Sequence, residues 1–323
     1  AIRGVFREFT VVCRRMKLFG GQLVAVDGSK VKAVNSRDRD FTQRKLKRLP
    51  ERADRKLEEY VEALDSADDE EKDNERPTAD ELREKIQWLR DRKGDYEEIE
   101  KQMEESGEKQ VSLTDPDSRT MRLGFSRGTE VGYNVQISVD AKHKLIVDHE
   151  VINEGIDTYQ LGAMAIRAKE VLELETLEVL ADGGYYRSQE IRDCVQEGIV
   201  PYLPRPNSSN NKAAGRYGKK DFRYDAENDC YWCPAGESLQ YSRGQTTRHG
   251  RKVRFYVSRS CRECGIKHKC TRNERGRRIE RWVDEELLDD MARRRRSEPD
   301  KVKRRKSIVE HPFGTIKHSM DQG

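Results

Sequence analysis

Hydrophobic positions recur along this chain at two spacings, and each change of spacing marks an element. Ile2 to Leu18 carries Val5, Phe9, Val12 and Met16 at helical spacing, which predicts one amphipathic helix ended by Gly20 and Gly21. Leu23 to Val26 is apolar on both faces, the pattern of a covered central strand. Val31 to Phe41 is polar and predicts a loop. From Thr42 to Gln110 the spacing is helical again, with one stripe of Leu57, Val61 and Leu64. A second stripe holds Leu82, Ile86, Leu89, Tyr96, Ile99 and Met103. The acidic stretch Ser66 to Pro77 separates them, and Thr78 with Glu81 reads as a capping box opening the second helix. Two narrow-striped helices with a polar link predict a helical hairpin. It is either an arm for dimerisation or DNA contact, or a surface insertion packed on itself.

Strand signals return at Leu113. Asp115 to Ser118 is a turn, Tyr133 to Val139 and Leu145 to Ile152 are strands, and Ala141 to Lys144 joins them as a hairpin loop. Thr158 to Leu174 predicts a helix, Leu177 to Ala181 a strand, Ser188 to Gln196 a helix and Ile199 to Leu203 a strand. This order fits an α/β fold with one mixed sheet. Asn207 to Gly276 turns polar and rich in Arg, Lys and Gly, with Leu239–Tyr241 and Val253–Val257 as a hairpin inside it. Asp284 to Ala292 and Asp300 to Met320 read as helices, the latter with Pro312 in a first turn, a kink or a break. The expected divisions are 1–41, 42–112, 113–205, 206–282 and 283–323: first strand, helical hairpin, remaining sheet, Cys-rich insertion and C-terminal helix region.

Composition sharpens this. Only 34% of 323 residues are hydrophobic and 38% are charged, so a modest core carries much solvated surface. The net charge of +4 hides segregation. Residues 50–110 are acidic on balance, whereas Arg205 to Lys317 is basic, with runs at 293–296 and 303–306. Clustering of one sign points to a nucleic-acid face. No window predicts a membrane span, and no secretory signal is read. Five of the seven cysteines lie between Cys230 and Cys270, an odd total that argues for a reducing cytoplasm, near the nucleoid if DNA is the partner. The opening at Ala1, in mid-pattern, predicts a piece of a longer protein.

Three carboxylates stand out. Asp27 follows the apolar run in LVAVDGSK, and Asp182 follows another in LEVLADGGY. Asp-Gly alone reads as a turn closing a strand. Two strand-end carboxylates in one sheet, however, can share a divalent metal. Glu310, in SIVEHPFGTIK, reads either as a surface ion-pair residue or as a third acid. Lys317 is two helical turns further on, so the two share a face if Pro312 permits.

With these residues the chain resembles the DDE transposases of bacterial insertion sequences. The resemblance rests on VDGSK, on Asp182, Gly184 and Tyr185 as Asp-x-Gly-Tyr, on VGYNVQISVD, and on Glu310 and Lys317 as Glu-x6-Lys. Lys303 and Lys306 stand where such proteins often have Tyr and Arg. The resemblance implies a ribonuclease H-like mixed sheet flanked by helices, into which the helical hairpin and, from the cysteine spacing, a small zinc-ribbon-like unit are expected as insertions. It implies two Mg²⁺ (or Mn²⁺) ions, with Asp27 bridging both, Asp182 on one and Glu310 on the other. Water would cut the strand, and the exposed 3′ hydroxyl would attack target DNA. Lys317 and Lys306 would meet DNA phosphates, with Lys30, Ser29 and Tyr185 as further contacts. The implied partners are the element's DNA ends, the target DNA and a second copy of the chain. A nuclease of the same fold that only hydrolyses, and a truncated or domesticated DNA-binding protein, remain alternatives.

The cysteines carry a separate signal. Cys230 and Cys233, then Cys261 and Cys264, are two Cys-x2-Cys pairs, the thiolate complement of one structural Zn²⁺. Cys270 and His268 are alternative ligands. The competing reading is a set of reduced cysteines without metal.

Overall fold

The run at Leu23 opens a strand, β1 (Leu23–Lys32), that continues well past the residues announcing it. The computed structural model describes residues 2–34, 37–67, 78–122, 128–206, 211 and 214–319, so the acidic link at 68–77 lies outside it. β1 runs through Asp27-Gly28 because a long neighbour holds it. β5 (Thr129–Asp140) lies antiparallel along it, with Asp27 opposite Ile137 and Lys32 opposite Gly132. The loop expected from Val31 is therefore strand to Lys32, then a 3-10 turn at Arg37–Arg39 and the short β2 (Asp40–Thr42). On the other side of β1 lie two parallel strands, β7 (Leu177–Leu180) and then β8 (Ile199–Tyr202). β4 (Arg119–Arg122) and β6 (Ile146–Ile152) share the outer edge of β5, both antiparallel. Helix α5 (Ser188–Gln196) carries the chain from β7 to β8 and completes a six-stranded mixed α/β sheet.

The two faces bury different residues. Val24, Val26 and Val179 meet α4 (Leu161–Leu172), α5 and α6 (Glu285–Ser297) through Met164, Ile191 and Leu288. Leu23, Ala25, Ile137, Val139 and Leu180 meet Ile308, Val309 and Phe313 of α7 (Pro299–Ser319). The two-residue period of a strand thus assigns the odd positions of β1 to the α7 side. α7 stays helical through a buried Pro312, which leaves the Ile308 carbonyl without its usual donor.

Helices α2 (Gln43–Ala67) and α3 (Ala79–Ser106) pack against each other. β2 pairs with β3 (Gln110–Ser112), which brings their outer ends together. Thr78 and Glu81 make both bonds of the capping box. Leu82, Ile86, Leu89, Ile99 and Met103 are buried as their spacing requires, whereas Val61 is exposed and Leu46 and Ala53 are buried on α2. Helix α1 (Ile2–Arg15) forms, but its apolar stripe faces outward. Ile2, Val5, Phe9 and Val12 are exposed, and Thr10 and Cys13 are buried.

The Cys-rich segment builds a second, antiparallel sheet. Its strands are β9 (Arg223–Asp225), β10 (Cys230–Trp232), β11 (Ser238–Arg248), β12 (Arg251–Val257) and β13 (Arg278–Trp282). Phe222, Tyr231, Leu239, Tyr256 and Ile279 form its small core. The β11–β12 tip rests on α5. Arg251 donates to Ser188 Oγ and Gln189 donates to the His249 carbonyl, each at 3.0 Å. Among the described residues no helix is long and apolar enough to cross a membrane.

Candidate active site

Asp27, on β1, and Asp182, just past β7, come from neighbouring parallel strands for a topological reason. β7 accompanies β1 only from Leu23 to Ala25, so the sheet opens beside Asp27 where β7 stops. Asp27 is therefore mid-strand, not at a strand end as the sequence suggested; the end belongs to β7. Asp182 follows two residues after Leu180 and caps the 3-10 turn Gly183–Tyr185, its Oδ1 accepting from the Gly184 N–H at 2.7 Å. Asp27 accepts from Gly28 N–H at 3.0 Å and from Arg305 Nη1 of α7 at 2.9 Å. Burial pushes the Asp27 pKa up, the Arg305 guanidinium opposes this, and the nearby charge of Asp182 adds to the rise.

Glu310 lies on α7, the helix that covers the Asp27 face, about 7.5 Å along its axis from Arg305. Its side chain is exposed. Among the described residues no three His, Cys, Asp or Glu side chains are grouped to hold a metal ion. The fold thus sets Asp27 and Asp182 within reach of each other's charge and Glu310 on the covering helix, without grouping the three. Lys306 is exposed and Lys317 half-buried, one turn before and two turns after Glu310.

Behind β1, on its α4 side, residues of the VDGSK, VGYNVQISVD and Asp-x-Gly-Tyr stretches form a polar cluster around Asp157, which no motif announced. Asp157 accepts from Gln136 Nε2 at 2.7 Å, from Asn134 Nδ2 at 2.8 Å and from Lys30 Nζ at 3.4 Å. The Tyr185 hydroxyl donates to Gln136 Oε1. This cluster explains Gly28: a Cβ there would lie 2.1 Å from Gln136 Nε2 and 2.8 Å from Asp157 Oδ1. Asp27-Gly28 is a close-packing requirement, not a turn. Thr158 ties the Asp157 loop to the Asp182 turn, donating to the Gly184 carbonyl at 3.1 Å.

Two residues expected to contact DNA, Tyr185 and Lys30, belong to this cluster. Tyr185 is 1% exposed, because the 3-10 turn drops its ring into the core. Burial first, then the charges of Asp157, Asp27 and Asp182, hold its phenol pKa well above the ordinary value. Lys30 pairs with Asp157 at 3.4 Å. Asp157 itself lies in the loop after β6, where nothing in the sequence distinguishes it from any loop acid.

The cysteines also regroup. A cavity of about 20 Å³ is lined by Cys233, Cys261, Cys264 and Cys270, but by neither Cys230 nor His268. Cys230 is buried within β10, and Cys233 lies just past the strand. An odd offset in extended chain sends two side chains to opposite faces.

Residues 232–322 match the family model described as Transposase DDE domain. That segment holds α7, with Arg305, Glu310 and Lys317, together with the four cavity cysteines; Asp27 and Asp182 lie outside it. The match likens this segment, under a third of the chain, to transposase DDE domains. No curated protein and no solved structure gives a match.

Proposed function

We propose that this chain cuts and joins DNA as an insertion-sequence transposase, using Asp27, Asp182 and Glu310. The observation that carries the reading is that Asp27 and Asp182 lie close enough for their charges to interact, while α7, which covers the Asp27 face and bears Glu310, falls in the matched segment. The strand order β6–β5–β1–β7–β8, antiparallel and then parallel, supports a ribonuclease H-like sheet.

The donor set suits Mg²⁺ or Mn²⁺. Hard cations take carboxylate oxygens, and Mg²⁺ is held through one or two of them plus water and substrate phosphates. Two adjacent aspartates therefore fit without a third ligand already gathered in. Such ions, when bound, stabilise charge on the attacking and leaving oxygens of the phosphodiester. Asp27 and Asp182 would hold them from the sheet, and Glu310 would join from α7. Arg305 would give up Asp27 and become available to a DNA phosphate. Exposed Lys306 and half-buried Lys317 would hold the backbone as point charges.

The test uses DNA carrying the element's ends with Mg²⁺. D27N, D182N and E310Q should each abolish cleavage yet retain DNA affinity, which many Lys and Arg contacts carry. Equal cleavage by parent and variants, or cleavage surviving chelation of divalent metal, overturns the assignment. Joining of the cut 3′ end to a target separates a transposase from a nuclease that only hydrolyses.

A further inference from the structure

We propose that Cys233, Cys261, Cys264 and Cys270 together bind one Zn²⁺, and that Cys230 takes no part. The site lies on the second sheet and is independent of strand cleavage.

The cavity these four residues line, about 20 Å³, has room for one water or one ion and no more. Each of the other three thiols is close enough to Cys270 to act on it electrostatically. All seven cysteines are free, so no disulfide competes. Tight turns present the sulfurs. Gly236 N–H donates to the Cys233 carbonyl at 2.9 Å, Lys267 N–H to the Cys264 carbonyl at 3.1 Å, and Cys270 N–H to the Lys267 carbonyl at 2.9 Å. Gly276, at φ +97°, leaves Cys261 its space, since a Cβ there would lie 2.4 Å from Cys261 Cβ.

Charge points the same way. Four thiolates on Zn²⁺ carry two net negative charges, and Lys267 and Arg277 line the same cavity. Arg277 donates Nη1–H to the Cys270 carbonyl at 3.5 Å, and its Nε is buried without a hydrogen-bond partner. Thiolate softness selects Zn²⁺ over the Mg²⁺ suited to the aspartates. The thiols ring the cavity and are not drawn to the roughly 2.3 Å of a Zn–S bond. Side-chain rotation closes that gap, and four protons pass to solvent as the thiols ionise.

The experiment uses the full chain, purified without chelator. Elemental analysis should find about one Zn²⁺ per chain. C233S and C270S should lose it, and C230S should keep it. To keep the test independent of how the variants fold, the parent is also alkylated natively with and without chelator, and its modified cysteines are mapped by mass spectrometry. Chelator should newly expose Cys233, Cys261, Cys264 and Cys270 as a group. A folded parent without zinc, or Cys230 released in place of Cys270, overturns the proposal. Zinc content should be unchanged in D27N, so failure here and failure of the cleavage reading are distinct results.

Discussion

Replacing Arg305 with Ala removes the cation held against Asp27, and the loss depends on what Asp27 must then tolerate. The 2.9 Å pair leaves 18% of the Arg305 side chain and 22% of Asp27 exposed. Breaking a fully buried pair costs roughly 3–5 kcal/mol; with about a fifth of each side chain solvated, we expect about 2 kcal/mol at pH 7. The pH dependence identifies the cause. Asp27 already has a raised folded pKa, because burial outweighs Arg305. A carboxyl raised on folding binds more protons in the folded state, so its penalty is absent below the unfolded pKa and grows as pH climbs through the folded one. Losing Arg305 lifts the folded pKa further and enlarges that penalty. Urea denaturation in chelator should therefore show R305A near parental stability at pH 4 and well below it at pH 7. On the D27N background the substitution should cost far less. A loss equal at both pH values, or undiminished beside D27N, would show that Arg305 acts by packing alone.

Three further outcomes follow from the geometry. T78A should cost about 1 kcal/mol and speed hydrogen exchange in the first turn of α3, as loss of a capping box does; unchanged exchange there would contradict the cap's role. G276A should cost about 1–3 kcal/mol, from a positive φ and a 2.4 Å clash with Cys261, and should weaken zinc retention; a parental melting profile with full zinc would contradict this. Joining Thr42 to Gln110 by a short turn in place of α2 and α3 should leave circular dichroism of the six-stranded sheet and its protease resistance intact, because β2 and β3 already hold those ends together.

What the sequence disclosed was decided by local period, and what it concealed was decided by neighbours. The apolar run to Val26, the α5 span and the Thr78–Glu81 cap are local, and all three are legible. The extension of β1 through Asp27-Gly28 is not, because the pair's turn propensity yields to pairing with a strand more than a hundred residues away. Asp157 is invisible for the same reason: its significance comes from Asn134, Gln136 and Lys30, brought to it by two other strands. The helical spacing of Val5, Phe9 and Val12 correctly gave a helix, but spacing cannot say whether anything covers the stripe. Among the cysteines, the repeat of Cys-x2-Cys suggested symmetry between the pairs; the β10 strand breaks it by turning Cys230 away from Cys233.

The contribution of α7 to the Asp27 face has a consequence in time. Synthesis proceeds from β1 toward α7, so a growing chain carries Asp27 first, Asp182 later and Arg305 and Glu310 later still. At roughly 5–20 residues per second, on the order of ten seconds separates the emergence of Asp182 from that of Glu310. During that interval Leu23, Ala25, Ile137 and Val139 lack the helix that buries them. Asp27 is then flanked by bare hydrophobic surface and lacks the Arg305 guanidinium. A nascent chain is in this way open to association, and the docking of α7 both covers that surface and supplies the cation.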